Sequence, residues 1–291
     1  MFAYLVLHYK NADVTEQCIQ SLLSNDMEDS CIVIVDNASG DGSYEKLSDI
    51  YGDDQRIHML HNDTNLGYAA GNNVGFRYAK DILKADWIVL LNNDVTIEQS
   101  DYRSRVMAEY MANPFYIAGP DIVTPEGGNQ NPFRTECMNA KVIRKNLIHD
   151  YIVLILMKLK IQQMLKRLLH YDGSIFKPND TDTIHDFHGV LHGSCIIFSP
   201  DYIKVFDGLY NDTFLYCEEE IVCFILNKLG LTYSYLKSVH VTHRHSVTMK
   251  RQVHDEDKRK MIEISNRIVS YKKFLKIAKD RTDVGKYLKR E

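Results

Sequence analysis

The sequence predicts an α/β protein with a mostly parallel central sheet flanked by helices. Three observations predict it. β-rich and helical segments alternate strictly through the first hundred residues, as strands joined by crossover helices do. The β-rich runs, such as CIVIV at 31–35 and WIVLL at 87–91, are continuously apolar, which fits burial on both faces. Three runs end in polar clusters, HYKN at 8–11, DNAS at 36–39 and NND at 92–94. In open α/β sheets ligands bind at the carboxyl ends of the strands, so the clusters are expected to converge on one cleft.

Residues 3–8 read as a first strand, and Asp13-x-x-Glu16 is a capping-box pattern that opens a helix through residue 23. A second strand at 31–35 leads to a helix over 43–51, a strand at 56–60, a helix over 69–83 and a fourth strand at 87–91. Residues 141–170 carry abundant Leu, Ile, Val and Met with seven Lys or Arg and a single acid, Asp150. That composition predicts one or two basic amphipathic helices, either packed on the domain with a solvated basic face or lying in a membrane interface. A polar loop at 177–182 precedes a glycine-punctuated β segment, HGVLHGSCIIFSP. Residues 207–210 form a turn, and a helix is expected from Glu218 to Gly230. Short strands at 232–236 and 239–242 lead into His243-Arg244-His245, and a basic helix over 254–279 closes the chain.

Bulk properties narrow the function classes. With 291 residues, 45% hydrophobic and 25% charged, the chain has the composition of a globular protein with a large core. A net charge of −4 excludes a globally cationic nucleic-acid binder, and no nucleic-acid partner is expected. Six cysteines without a CxxC pair read as reduced thiols in a cytosolic protein. The apolar start MFAYLVLHYKN lacks a basic n-region and a cleavage site, so it reads as a strand, not a signal peptide. No stretch approaches the length of a bilayer span.

Asp94 ends a buried strand, where a carboxylate is a hard oxygen ligand suited to Mg²⁺ or Mn²⁺ beside phosphates; a simple turn is the competing reading. Asp36 could accept from a base or a ribose, or merely form the turn of Asp-Asn-Ala-Ser-Gly. In Asn65-Leu66-Gly67-Tyr68-Ala69-Ala70-Gly71-Asn72-Asn73 the glycines permit close backbone approach, and a helix N-terminus faces an anion. Small residues for close packing explain the same stretch. Glu218-Glu219-Glu220 opens a helix, where acids stabilise the dipole, yet it directly follows the apolar segment 214–217.

The ordered series HYKN, VDNASGDGS, NxGYAAGNN, LLNND, FLYCEEE and HxxS resembles glycosyltransferase family 2, the inverting nucleotide-sugar transferases of the GT-A fold. It is most similar to rhamnosyltransferase-type members that build capsules and other surface polysaccharides. The likeness covers about 1–125 and 185–250. It implies a GT-A domain over 1–250, with a nucleotide-binding half at about 1–125 and an acceptor half at about 183–250. A helical insertion at about 141–180 and a C-terminal basic segment over 251–291 complete that division.

The resemblance also implies roles. Asp36 stands where the family binds the nucleotide base, and Tyr9, Asn11, Asn65, Gly71, Asn72 and Asn93 stand around the nucleotide-sugar cleft. Asp94 matches the last position of the Asp-x-Asp motif, the ligand of a divalent cation, Mn²⁺ or Mg²⁺. Asn92 replaces the first aspartate and, as a poorer ligand, is expected at the ribose or sugar. His243 is expected to join the metal or the phosphates, with His245 as its competitor. Glu219 stands where the family has a catalytic aspartate, one methylene longer, which keeps Glu218 open as the alternative base. His192 and Gly193 are expected at the acceptor. The expected partners are a nucleoside-diphosphate sugar and a saccharide acceptor on a lipid carrier. The expected location is the cytoplasmic face of the cell membrane, held peripherally by 141–170, with homo-oligomers possible. Two other readings stay open, a degenerate scaffold of a polysaccharide assembly complex and a sugar nucleotidyltransferase. A Rossmann dehydrogenase is disfavoured because no GxGxxG follows the first strand.

Overall fold

The computed structural model describes residues 1–25, 27–159, 182–244 and 255–290. Eight strands form one curled sheet: β1 (Phe2–His8), β2 (Ser30–Asp36), β3 (Ile57–His61), β4 (Trp87–Asn92), β5 (Val95–Thr96), β6 (Ile117–Val123), β7 (Cys195–Phe198) and β8 (Tyr233–His243). Their order across the sheet is β3-β2-β1-β4-β7-β6-β8-β5. The first four are parallel to one another, as the alternating sequence predicts. β7 is the exception at the centre, antiparallel to both β4 and β6.

Among the described residues the helices are α1 (Ala12–Leu23), α2 (Ser43–Tyr51), α3 (Tyr68–Arg77), α4 (Tyr102–Ala112), α5 (Ala140–Lys158), α6 (Pro200–Val205), α7 (Glu218–Leu229) and α8 (Glu256–Lys279). The sheet has a core on each face. Strand side chains point alternately up and down, so Leu5, Val33, Val35 and Leu90 pack toward α3 and α7 through Phe76, Ile221 and Val222. Their neighbours Tyr4, Val6, Ile34 and Leu91 pack toward α1, α2 and α4 through Ile19, Leu22, Leu47 and Val106.

Several sequence expectations are revised. The capping box is not used. Asn11, at φ 59°, is the residue before α1, with no side-chain cap; Asn tolerates the left-handed conformation, which lets the helix begin one residue before Asp13. The helix expected over 69–83 is α3 followed by a π-helical turn, Tyr78–Ile82. The two strands expected at 232–236 and 239–242 are one strand, β8, whose pairing with β6 shifts between Pro120 and Asp121. β5, β6, α4 and α6 carry no clean sequence period and are additions to the predicted elements.

The insertion begins with α5, capped by Asn139, whose side chain accepts from the Lys141 and Val142 amides. Its apolar face packs against α8 through Val153, Met157, Ile264 and Ile268. Asp150, the single acid of that stretch, accepts two bonds from Arg267, at 2.6 Å from Nε and 2.9 Å from Nη2. The rest of the expected insertion, from residue 160, lies outside the described residues, as do His245 and the expected start of the last helix at 254. All six cysteines are free thiols.

Candidate active site

The cleft is laid out by strand register. His8 of β1 pairs with Asp36 of β2, Asp36 pairs with His61 of β3, and Leu7 pairs with Asn92 of β4. The three polar clusters therefore do share one edge, as predicted from strand ends alone. Across the edge the main-chain N–H of Asn92 donates to Ser194 O at 2.9 Å. That bond joins the first half of the chain to the segment before β7.

Asp36 sits at the floor, fully buried. Its oxygens accept from the Ser39 hydroxyl, from Ser39 N at 3.2 Å and from His61 Nδ1 at 2.9 Å. What Asp36 presents to solvent is thus the half-exposed His61 ring, which lies 5.0 Å from the Tyr44 ring. His8 is also fully buried, bridging Thr15 Oγ1 at 2.7 Å and Ser43 Oγ at 2.8 Å. Burial lowers its pKa against the opposing pull of Asp36, so it serves as a neutral brace. Tyr9, partly buried, lies under the Lys10 ammonium at 5.2 Å, and Lys10 N donates to Ser39 Oγ at 2.7 Å. Asn11 reverses the chain into α1.

The glycine-rich turn is held by an amide cluster. Asn37 donates to Asn65 Oδ1 and to Gly67 O, both at 3.0 Å, and accepts from Leu66 N at 3.0 Å. Asn65 is therefore engaged in shaping the loop. Gly67 has φ 82°, and a Cβ there would stand 2.3 Å from Phe214 O. Only glycine fits, because Tyr68 N donates to that same oxygen at 2.8 Å. Gly71 lies against Leu7 and Asn37. Asn72 donates to Tyr68 O at 3.0 Å, and its buried Oδ1 has no hydrogen-bond partner. Asn93 is turned to α1, donating to Thr15 Oγ1 at 2.9 Å.

Two sequence-distant candidates come together. Asp94 Oδ1 and His243 Nε2 are 3.2 Å apart, both almost fully buried. His243 Nδ1 lies 2.7 Å from Gln130 Oε1; the tautomer that donates from Nδ1 to this oxygen is the one whose Nε2 lone pair could meet a cation shared with Asp94. Two ligands on adjacent vertices of an octahedral cation, at about 2.1 Å each, stand about 3 Å apart. The pair fits that spacing, and carboxylate plus imidazole suits Mn²⁺ or Mg²⁺ beside phosphate oxygens. No group of three or more His, Cys, Asp or Glu close enough to hold a metal occurs among the described residues. Further ligands would be substrate oxygens or water.

The segment His192-Gly193-Ser194 joins this pair to the acids. The His192 ring lies 5.6 Å from the His243 ring. His192 Nδ1 accepts from Ser194 N at 3.1 Å, which leaves its proton on Nε2. Tyr68 OH donates to Gly193 O at 2.5 Å. A Cβ at Gly193 would touch the Glu219 carboxyl at 3.7 Å.

The three acids are not equivalent. Glu218 and Glu220 are buried, whereas Glu219 is partly exposed over Gly193. Burial raises all three pKa values, and for Glu219 the neighbouring Glu220 and Glu218 charges add to it. Glu220 is steadied by Arg134, whose Nε lies 3.7 Å from Oε1. Tyr68 is also pushed well up, first by burial and then by Glu219.

His8, Ser39, His61, Tyr68, Gln130 and Arg134 escape sequence reasoning. His8 and Ser39 carry a signal as members of strand-end clusters and Tyr68 as part of the glycine-rich stretch; His61, Gln130 and Arg134 face the site through contacts distant in sequence.

The family described as Glycosyl transferase family 2 matches residues 5–186, more than half of the chain. The low-salt glycan biosynthesis hexosyltransferase Agl10 of Haloferax volcanii is 24% identical over 249 residues, covering 85% of this chain and 68% of that protein. Glycosyltransferase GlyG of Streptococcus pneumoniae serotype 4 is 24% identical over 220 residues, covering 71% and 70%. Among solved structures, GalNAc-T7 with UDP, GalNAc and Mn²⁺ superposes with a TM-score of 0.58 at 12% identity, over 84% of this chain and 43% of that one. S. aureus TarS residues 1–349 with UDP superposes with a TM-score of 0.54 at 11% identity, over 98% and 68%. Both carry the GT-A fold.

Proposed function

The chain belongs to glycosyl transferase family 2, and from that premise we propose that it moves a hexosyl group from a nucleoside-diphosphate sugar to a saccharide hydroxyl, with inversion, in surface-polysaccharide assembly. The carrying observation is that one tripeptide, His192-Gly193-Ser194, has the Asp94–His243 pair beside its first residue and Glu219 over its second. In this reading the pair serves the leaving group and Glu219 the acceptor hydroxyl, both next to the same tripeptide.

In this reading His61 and Tyr44 flank the base of the nucleotide, and Asn92 meets the ribose or the sugar. A divalent cation held by Asp94 and His243 would neutralise the charge that develops on the departing β-phosphate. Glu219 takes the proton of the acceptor hydroxyl as its oxygen bonds to the anomeric carbon and the bond to the diphosphate breaks. Burial and the neighbouring Glu220 and Glu218 charges raise the Glu219 pKa, which makes it a stronger base than an ordinary carboxylate. One carboxylate on the side away from the leaving group is enough for a single displacement with inversion. Of the related proteins, a hexosyltransferase of glycan biosynthesis and two structures with UDP, one also with Mn²⁺, support the substrate class.

A lipid-linked acceptor at a membrane belongs to the same proposal. Ile148, Ile152, Ile155 and Leu159 are exposed along one face of α5, and Lys141, Arg144 and Lys145 begin that face, the distribution of an interfacial helix.

The test is nucleoside-diphosphate release from UDP-, GDP- and dTDP-sugars, with Mn²⁺ or Mg²⁺ and with EDTA. One donor is expected to turn over, only with metal, and Asp94→Asn should abolish the release. Release that persists in EDTA or in Asp94→Asn would refute the assignment of the metal. The anomeric configuration of the product decides inversion.

A further inference from the structure

A second cavity, of about 940 Å³, lies away from the cleft, between the end of α3, the 207–212 loop and the chain end at 286–290. Asp36, Asp94, His243 and Glu219 do not line it, and of the stretch 65–73 only Asn73 does. Five cations do: Arg77, Lys276, Lys286, Lys289 and Arg290, against two acids, Asp207 and Asp212.

The acids act on these cations only at a distance, because their hydrogen bonds go mostly to other groups. Asp207 is taken by Lys80 Nζ at 2.6 Å and by the Arg290 main-chain N–H at 2.9 Å. Asp212 is taken by Lys273 and by Tyr210 OH. Lys286 pairs with Asp280 and the Arg290 guanidinium with Asp81. No carboxylate among the described residues comes within ion-pair distance of Arg77, Lys276 or Lys289. Arg77 is moreover half-buried, and its pKa is lowered by that burial and by the Arg290 charge, against a weaker opposing pull from Asp207 and Asp81. A partly desolvated guanidinium beside a like charge is costly, and an anion in the cavity would relieve it. A planar guanidinium sharing one cavity with two ammonium groups is a donor set for phosphate oxygens.

We propose that this cavity binds a phosphate-bearing ligand, free or carried on a lipid, through Arg77, Lys276 and Lys289. The site is independent of the transferase reading, but it shares a wall with the cleft. The Asn73 amide clamps Leu209 N and O at 2.8 and 2.7 Å, and the same loop runs on to Phe214 O beside Tyr68. Occupancy of the cavity would therefore bear on the loop that leads to the acids.

Inorganic pyrophosphate is the probe, titrated calorimetrically into the full chain in EDTA so that metal-dependent binding in the cleft is removed. One site per chain is expected, weakening as salt rises. Arg77→Gln should weaken it about tenfold or more, the scale of a hydrogen bond to a charged group, and so should Lys276→Gln with Lys289→Gln. Asp94→Asn should leave it unchanged. Arg77→Gln should keep or raise the Tm of the ligand-free protein, because it removes an unpaired cation. Sedimentation with phosphatidylglycerol vesicles then separates the sources: weaker binding by Arg77→Gln marks a lipid-borne phosphate, and equal binding marks a soluble one. Absence of binding, an affinity unmoved by the cavity variants, or loss in Asp94→Asn alone would overturn the proposal.

Discussion

Glu219→Gln is the sharpest perturbation, because the structure predicts opposite effects on rate and stability. The amide keeps the shape of the side chain over Gly193 but cannot accept a proton at neutral pH. General-base assistance is worth about 10²–10⁴-fold, so turnover should fall by that factor, or about 2.7–5.4 kcal/mol of barrier. Donor affinity should hold, since Asp94 and His243 are reached through His192, not Glu219.

Stability should move the other way. Burial and the Glu220 and Glu218 charges raise the Glu219 pKa above its ordinary 4.5. A raised acid leaves stability intact below the unfolded value and lowers it as pH climbs from there through the folded value. Glu219→Gln removes that loss, so its Tm at pH 8 should equal or exceed that of the parent, and its Tm should depend less on pH above 4.5. By the same titration, parent turnover should decline as pH falls through the raised pKa. The assay is steady-state product formation over pH, with donor affinity from nucleotide titration and Tm from calorimetry. A rate within a few-fold of the parent, or a lost rate accompanied by an equal loss of donor binding or a lowered Tm, would refute the reasoning.

Packing sets the other outcomes. Arg267→Met leaves the buried Asp150 carboxylate without its two-point partner; about 3 kcal/mol is expected from breaking such a pair, read as a Tm lower by about 6 °C, and a shift under about 2 °C would show that solvent compensates. Gly67→Ala forces Cβ onto Phe214 O at a φ reserved for glycine, so turnover and Tm should both fall, by about 1–3 kcal/mol for the strain alone. Gly71→Ala meets only side-chain atoms of Leu7 and Asn37 and should be the milder variant in the same assays; the reverse order would disprove the account of the loop.

The parallel half of the fold is legible because its strands are buried on both faces, so 31–35 and 87–91 stand out as uninterrupted apolar runs ending in polar residues. The same logic puts His8, Asp36 and Asn92 on one edge without any knowledge of strand pairing. Beyond residue 94 the pattern weakens. β6 contains Gly119 and Pro120, which read as a break, and β7 is only four residues long. β8 spans an irregularity that splits its apolar pattern in two. The pairing of Asp94 with His243 depends on β5 adding to β8, a long-range contact without local signature. Asn37 and Asn65 illustrate a further limit: their composition marks a loop, but only coordinates reveal that the amides are engaged with each other and with the backbone. The composition of 141–158 allows packing on the domain as one of two readings, but carries nothing that names α8 as the element it packs on.

The main-chain bond from Asn92 to Ser194 ties strands that arrive from distant parts of the chain. The spacing between Asn92 and the His192-Gly193-Ser194 segment is thereby set by backbone that any side chains would preserve. Loops on either flank could be exchanged for others that select a new sugar without realigning the chemistry. Diversification of specificity would then proceed by swapping rims around a seam held by backbone alone.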